Sequence, residues 1–370
     1  MHTVKTKEEQ KTEMEEAYGK YTFCKILFIL LFIIAAFLMA GISLSYNGLE
    51  GVGVIESYDY IFKHLMGTTY DRISDNTNWI NDWNLWNQYA PRISIAIITG
   101  AGLAVCGVAM QAILKNPLAD PYTVGISDGA CFGAVAAIVT GASLSSLSAS
   151  MGVVTNAFIC GMIPAIVVIL LTRMVHMNPA TTILVGVAIS YVFSGLETTL
   201  MVATDPDTLK QAYLWQIGSF GNFNWDKCVL PFILTVIGCA ALLLSSRNLN
   251  LLSLGDDSAT SLGLDVDTFR TLVMVFVSIM VAALVAFVGV IGFVGLVAPH
   301  MVRMLIGGDN RYLIPASMAA GAFFMLLADL LSRIAVSGSE LRVGLIASMI
   351  GAPIFLYMII KKKKNYGEGF

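Results

Sequence analysis

Ten long apolar stretches, separated by short polar segments, dominate this chain of 370 residues. A helix needs about 20 mostly apolar residues to cross the hydrocarbon core of a bilayer, and most of these stretches reach that length. The pattern therefore predicts an all-α, polytopic membrane protein with about ten transmembrane helices. The predicted spans are residues 22–45, 92–114, 122–141, 150–173, 180–203, 228–246, 270–289, 291–306, 312–332 and 342–360.

Composition supports this class and excludes a water-soluble surface. Hydrophobic residues make up 56% of the chain and charged residues only 13%, whereas a soluble domain carries about 25% charged residues. The six cysteines lie within or beside apolar stretches without short paired spacings, so we expect neither disulfides nor a metal site. The first apolar stretch is too long for the core of a cleavable signal and is interpreted as a retained span.

The distribution of basic residues predicts the orientation. Cytoplasmic loops carry an excess of Lys and Arg, and roughly two-thirds of the 22 basic residues fall on the side of the termini. Both termini are therefore predicted to be cytoplasmic, with tails at 1–21 and 361–370 and a basic anchor at 361–364 beside anionic lipid. Residues 47–91 become an extracellular loop, and residues 247–269 a cytoplasmic one. Short helices are expected near 205–218 and 254–262.

Three local patterns bear on chemistry. Small residues at Gly100, Gly102, Ala104 and Gly107 allow close helix packing. Residues 125–129 satisfy the G-x-S-x-G pattern of hydrolases, but a Pro-rich turn, not a strand, precedes them, so an intramembrane hydrolase using Ser127 is disfavoured. The chain contains no G-x-x-x-x-G-K-[ST], so any ATP that drives it must be bound by another polypeptide.

Several ordered blocks resemble one family of transporters. The turn Asn-Pro-Leu-Ala-Asp-Pro at 116–121 is followed by Gly-Ile-Ser-Asp-Gly-Ala at 125–130. Further matching blocks lie at 254–263, 289–312, 326–333, 338–344 and 348–357. Over roughly residues 85–360, as judged from these motifs, the chain resembles the FecCD/BtuC-type ABC transporter permease family, which imports iron-siderophores, haem and cobalamin.

The resemblance implies a type II ABC importer permease in the cell membrane, with no catalytic residue, metal or cofactor of its own. Its implied partners are a second permease copy, two ATPase subunits that bind ATP and Mg, a soluble substrate-binding protein and the lipid bilayer, and not nucleic acid. Ferric siderophore is the favoured substrate, with cobalamin or haem as alternatives. An ion-coupled secondary transporter is a different alternative, but it would need several buried acids, and only Glu197 stands out.

The resemblance also implies roles for particular residues. Arg92 and Arg333 match arginines that dock the binding protein, although local acids could instead hold them, and Asp329 lies four residues before Arg333 as a candidate ion-pair partner. The cytoplasmic block 254–263 matches the segment that couples the permease to its ATPase, with exposed acids and an apolar face formed by Leu254, Ala259 and Leu262. The residues assigned to coupling are Leu254, Gly255, Asp256, Asp257, Ser258, Ala259, Leu262 and Gly263.

The fifth span is expected to line the translocation path. Glu197 would lie near its outer mouth, and Asn178, Thr181 and Thr182 would form an inner gate of small polar side chains. The alternative is a helix packed against its neighbours, with Glu197 reaching outward to water.

Overall fold

The computed structural model describes residues 7–46, 52–144, 149–175, 177–221, 223–336 and 339–367. In these residues the fold is all-α, and the only β-type pairing is an isolated bridge between Ile217 and Val290. The helices are α1 (Lys7–Ser45), α2 (Val54–Leu65), α3 (Asn76–Asn84), α4 (Ala90–Ile113), α5 (Ile126–Thr140), α6 (Ala149–Val175), α7 (Pro179–Val202), α8 (Pro206–Gln216), α9 (Trp225–Leu244), α10 (Ser246–Leu252), α11 (Asp256–Ser261), α12 (Val266–Val288), α13 (Val294–Ile306), α14 (Asn310–Ile334) and α15 (Val343–Gly367).

Each of the ten predicted spans coincides with a helix, but two of these helices are shorter than predicted. Eight helical segments are long and apolar enough to cross a membrane, whereas α5 and α13 have 15 and 13 residues. At 1.5 Å per residue they extend only about 20 Å, less than the hydrocarbon core of about 30 Å. Each begins after a non-helical segment whose last residue, Gly125 or Phe293, has positive φ. The predicted starts at 122 and 291 are therefore corrected to Ile126 and Val294.

The helices also extend into segments that the sequence left without regular structure. Residues 7–21 of the predicted N-terminal tail belong to α1, and residues 361–367 of the C-terminal tail belong to α15. The predicted short helices near 205–218 and 254–262 are confirmed as α8 and α11. The predicted extracellular loop 47–91 contains α2 and α3, and a π-helical turn, Leu85–Tyr89, joins α3 to α4.

This outer segment is held to α9 by aromatic side chains. The His64 ring stacks on Trp86 at a centroid distance of 4.2 Å, and His64 Nδ1 lies 2.9 Å from a carboxylate oxygen of Asp82. Trp225, at the start of α9, donates a hydrogen bond from Nε1 to the carbonyl of Trp86. The segment is therefore a packed cap and not an open loop.

Helix α4 lies at the centre of the bundle and packs against α9, α12, α13 and α14. Its glycines make this possible, as the sequence predicted. A Cβ added to Gly107 would lie 1.7 Å from the Gly295 carbonyl oxygen, and one added to Gly100 would lie 2.3 Å from that of Gly321. In contrast, the apolar residues of α1, α7, α9 and α15 are widely exposed, which is the pattern of helices that face lipid or a partner in a membrane.

Candidate functional site

The segment from Leu254 to Gly263 projects from the predicted cytoplasmic end of the bundle. Gly255 and Gly263 flank α11 and have backbone φ angles of 105° and 89°. Residues other than glycine rarely adopt such positive φ angles. Leu254 and Leu262 are each 62% exposed. Two exposed leucines on a loop outside the apolar spans favour contact with another protein.

The apolar face predicted for this segment is only partly confirmed. Ala259 is fully buried, so it anchors α11 to the bundle and does not stand beside the leucines. The physical reason is that α11 is a helix of six residues with one side against the protein. The exposed surface therefore consists of the two leucines and the polar residues between them, which are Asp257, Ser258, Thr260 and Ser261.

Asp256, predicted to be an exposed acid, instead fixes the segment to the bundle. Its Oδ1 lies 2.9 Å from Lys115 Nζ and 3.0 Å from Arg270 Nη2, and Arg270 Nε donates to the carbonyl of Ile113 at the end of α4. Burial alone would raise the pKa of Asp256, but the hydrogen bonds and charges of Lys115 and Arg270 outweigh it and hold that pKa below its usual value. The segment is thereby tied to α12 and to the chain at the end of α4.

The two arginines predicted to dock a binding protein lie in a network of ion pairs. Arg92 Nη2 lies 2.8 Å from Asp329 and 2.7 Å from Glu340, and Arg333 lies 3.2 Å from Asp329. Arg333 also donates to the carbonyls of Ser43, in α1, and of Tyr46, directly after that helix.

Both arginine side chains are about one-tenth exposed, so the structure directs them into the protein and not toward a docking surface. The ion pair between Asp329 and Arg333 expected from their spacing is confirmed, and the alternative that local acids hold the arginines is the one the geometry supports. The docking role stays a prediction.

The residues predicted to form an inner gate have separate structural roles at the start of α7. The side chain of Asn178 caps the helix by accepting a hydrogen bond from the Thr181 amide at 2.9 Å. Thr182 is 1% exposed, and its hydroxyl donates to the Asn178 carbonyl. Thr182 therefore faces the interior, because its position on α7 points toward α6, and only Asn178 and Thr181 remain at the surface.

Glu197 lies under the outer helix α8. Its Oε1 accepts a hydrogen bond of 2.5 Å from Nε2 of Gln216, the last residue of α8. Asp128, in the first turn of α5, is close enough to interact with it electrostatically. The sequence prediction overlooked Asp128, although an acid at the start of an apolar stretch is the same signal that singled out Glu197.

Helix α7 is the least buried of the long apolar helices. Only 6% of its most apolar window is buried within the chain, and its exposed side carries small or polar residues as well as apolar ones. These are Ala188, Ser194, Gly195, Thr198 and Thr199. Small and hydroxyl-bearing residues are enriched where membrane helices pack closely against each other, so they suit a helix that faces a partner subunit.

The described residues contain no group of three or more His, Cys, Asp or Glu side chains that could hold a metal ion. The six cysteines are unpaired.

The described residues thus form an all-α bundle with eight helices long and apolar enough to cross a membrane and with an exposed loop at 254–263 tied to the bundle, which is the architecture of a polytopic membrane protein. Residues 51–361 match the model of the FecCD transport family. The chain belongs to this family, and it is a multi-pass permease of the ABC importer type.

Relatives support this assignment over most of the chain. The hemin transport system permease of Yersinia pestis is 38% identical over 286 residues, covering 76% of this chain and 85% of the relative. The vitamin B12 import system permease of Klebsiella pneumoniae is 36% identical over 284 residues, covering 75% and 83%. A solved inward-facing ABC transporter, provisionally described as metal-chelate type, superposes with a TM-score of 0.77 at 31% identity, covering 90% of this chain and 98% of that one.

Proposed function

We propose that this chain is the membrane-spanning subunit of an ATP-driven importer that moves a metal chelate into the cell. The chain lies in the cell membrane with both termini cytoplasmic and assembles with a second permease copy. Two ATPase subunits bind ATP and Mg on the cytoplasmic side, and a soluble protein delivers the substrate outside. The relatives named for hemin and vitamin B12 support a large chelate, and a ferric siderophore is the substrate predicted from the sequence.

One observation carries the proposal: two leucines, each 62% exposed, project from a loop that Asp256 ties to the bundle. A partner that binds Leu254 and Leu262 would transmit its motion to the bundle through the contacts that Asp256 makes with Lys115 and Arg270. Because these two residues join the loop to α4 and α12, closure of an ATPase pair would be transmitted into the spans. Catalysis belongs to the ATPase, and this chain supplies binding and gating.

The translocation path is proposed to run along the exposed side of α7. The small and polar residues there would face the second copy across the path, and Glu197 and Asp128 would lie beside it, where α7 packs against α5 and α8. Two acids favour a cationic or neutral chelate over an anionic one, since a like charge in a low-dielectric site is strongly disfavoured.

The proposal is tested by reconstituting the permease in liposomes with its ATPase and binding protein. Labelled ferric siderophore, haem and cobalamin are supplied in turn, and we expect ATP-dependent uptake of one of them. Uptake should be lost in the Leu254→Asp, Leu262→Asp variant. Leu144→Asp is the matched control, since Leu144 is 65% exposed on the predicted outer side. Uptake that persists without ATP, or in the coupling variant, would reject the proposal.

A further inference from the structure

A cavity of about 670 Å³ opens at the predicted cytoplasmic end beside the coupling segment. It lies between the ends of α4 and α13, the start of α14 and the chain around Gly255. Its lining combines apolar side chains with polar and basic ones. The residues that the argument uses are Gln111, Lys115, Leu254, Arg303 and Gly308.

Arg303, in the last turn of α13, is a cation without an acidic partner in the described part of the chain. Its Nη2 donates a hydrogen bond of 3.3 Å to Gln111 Oε1, and its buried Nε has no hydrogen-bond partner. The guanidinium group stays protonated in proteins. Arg92, Arg270 and Arg333 all pair with carboxylates, so Arg303 differs from the other buried arginines.

The side-chain amide of Gln111 is a second buried donor that lacks a hydrogen-bond acceptor among the residues that the structure describes. The residue is 2% exposed, and its amide Nε2 has no hydrogen-bond partner. Buried polar donors are nearly always satisfied in folded proteins, because leaving one unpaired costs free energy. Lys115 does not serve as the counter-charge, since it is itself a cation and is paired with Asp256 at 2.9 Å. Arg303 and Gln111 thus present a positive charge and unpaired donors to the cavity, and its lining residues include no carboxylate that could satisfy them. The lining also includes Asn310, whose Oδ1 has no hydrogen-bond partner.

We infer that this cavity receives the carboxylate of an acidic side chain on the ATPase subunit. The inference rests on the proposed function and adds a specific contact to it. A carboxylate would accept paired hydrogen bonds from the Arg303 guanidinium, which is the strong geometry for such pairs, and would also satisfy the Gln111 amide.

The position of the cavity favours a partner protein over a free anion. Leu254, which projects toward the proposed partner, also lines the cavity, so a subunit that covers the leucine would also cover the cavity mouth. A volume of about 670 Å³ is far larger than a lone phosphate needs but accommodates a protruding loop that carries the acid. The positive charge of the cavity and its position beside Leu254 thus both favour an acidic loop of the ATPase subunit as its occupant.

The test measures the affinity of the purified permease, in lipid nanodiscs, for its purified ATPase subunit at several salt concentrations. We expect Arg303→Gln to weaken binding about 10-fold or more and to flatten its salt dependence, because a desolvated charge pair is lost. Arg303→Lys should retain part of the affinity. Arg247→Gln is the matched control, because Arg247 is an exposed arginine on the same side but outside the cavity; its affinity should stay within about two-fold of wild type.

A second variant leaves Arg303 in place. Gly308 lines the cavity, and a Cβ added there meets nothing within 4 Å, so Gly308→Glu introduces a competing carboxylate without disturbing packing. This variant should also weaken ATPase binding, whereas Gly308→Gln should not. Wild-type affinity in both Arg303→Gln and Gly308→Glu would overturn the inference.

Three further outcomes separate the explanations. If inorganic phosphate raises the thermal stability of the permease alone, if Arg303→Gln abolishes that effect, and if ATPase affinity is unchanged, the cavity binds a free anion and the inference is wrong. If the Leu254→Asp, Leu262→Asp variant keeps normal ATPase affinity, the proposed coupling surface itself fails. Loss of affinity in the leucine variant together with normal affinity in Arg303→Gln rejects only the carboxylate contact.

Discussion

Arg92 and Asp329 lie 237 residues apart in the chain, yet Arg92 Nε donates a hydrogen bond of 2.8 Å to Asp329 Oδ1 inside the bundle. The Asp329 side chain is fully buried and also pairs with Arg333. One carboxylate thus joins the start of α4 to the end of α14, at the level where α1 also ends.

Asp329→Asn should destabilise the protein because it leaves two buried guanidinium groups without their shared counter-charge. Breaking a buried ion pair in this way costs about 3–5 kcal/mol. Thermal unfolding in detergent, followed by tryptophan fluorescence, should show a large drop in midpoint temperature. Glu340→Gln is the control, since the Glu340 side chain is 43% exposed and its loss should cost far less. Equal midpoints for Asp329→Asn and wild type would show that the network is not structural.

Gly107→Ala should destabilise the centre of the bundle. The added methyl group would stand 1.7 Å from the Gly295 carbonyl oxygen, so α4 and α13 must separate, at a cost of about 1–3 kcal/mol. Gly195→Ala, in α7, is the matched change, because a Cβ there meets nothing within 4 Å. We expect unchanged or slightly higher stability for that variant, since Ala favours helix over Gly. The comparison is made from unfolding midpoints of the two purified variants, and identical effects would argue against close packing at Gly107.

Asp309 should make stability depend on pH in the acidic range. Hydrogen bonds from Arg311 and Asn250, together with the Arg311 charge, lower the pKa of Asp309 to about 2. A carboxyl group whose pKa is depressed by folding stabilises the protein above its unfolded pKa, and this contribution disappears as pH falls through the folded pKa. We therefore expect Asp309→Asn to lower the free energy of unfolding by about 1–2 kcal/mol at pH 7.

This difference between variant and wild type should shrink between about pH 4 and pH 2, where the wild-type carboxylate is progressively protonated. Denaturant titrations at pH 7 and pH 3 measure it. A difference that stays constant over this range would mean that the Asp309 charge contributes nothing and that only the shape of the side chain matters.

Single cysteines along residues 188–199 should report the translocation path, after the native cysteines are replaced. An impermeant thiol reagent should label positions on the exposed side of α7, such as Ala188, Tyr191 and Gly195, and docked binding protein should block the reaction. Ile233→Cys, on the exposed apolar side of α9, is the control for lipid-facing positions and should stay unlabelled, because thiolates do not form in hydrocarbon. Labelling restricted to the outer end of α7, and insensitive to the binding protein, would place the path elsewhere.

The helix positions, the close packing of α4 and the family of this protein could be predicted from the sequence alone. The apolar stretches located ten of the helices, because a helix in lipid must satisfy its own backbone and is marked by a long run of apolar residues. The small residues of α4 foretold close packing, and the spacing of Asp329 and Arg333 foretold their ion pair. The ordered motif blocks indicated the family. Each of these features depends on residues close together in the sequence, so the sequence is enough to predict it.

Tertiary structure decided where the charged and polar side chains point. The docking role of Arg92 was predicted from the family resemblance, and the sequence could not name its acidic partners, Asp329 and Glu340, because they are more than 230 positions away. Ala259 and Thr182 were assigned to exposed surfaces, but the packing of α11 and α7 against the bundle turned both inward. Arg303 is notable only because, in the part of the chain that the structure describes, no acid pairs with it. The length of an apolar stretch is a property of one segment of the chain. Ion pairing and side-chain burial depend on which distant segments come into contact, and the amino-acid sequence does not show those contacts directly.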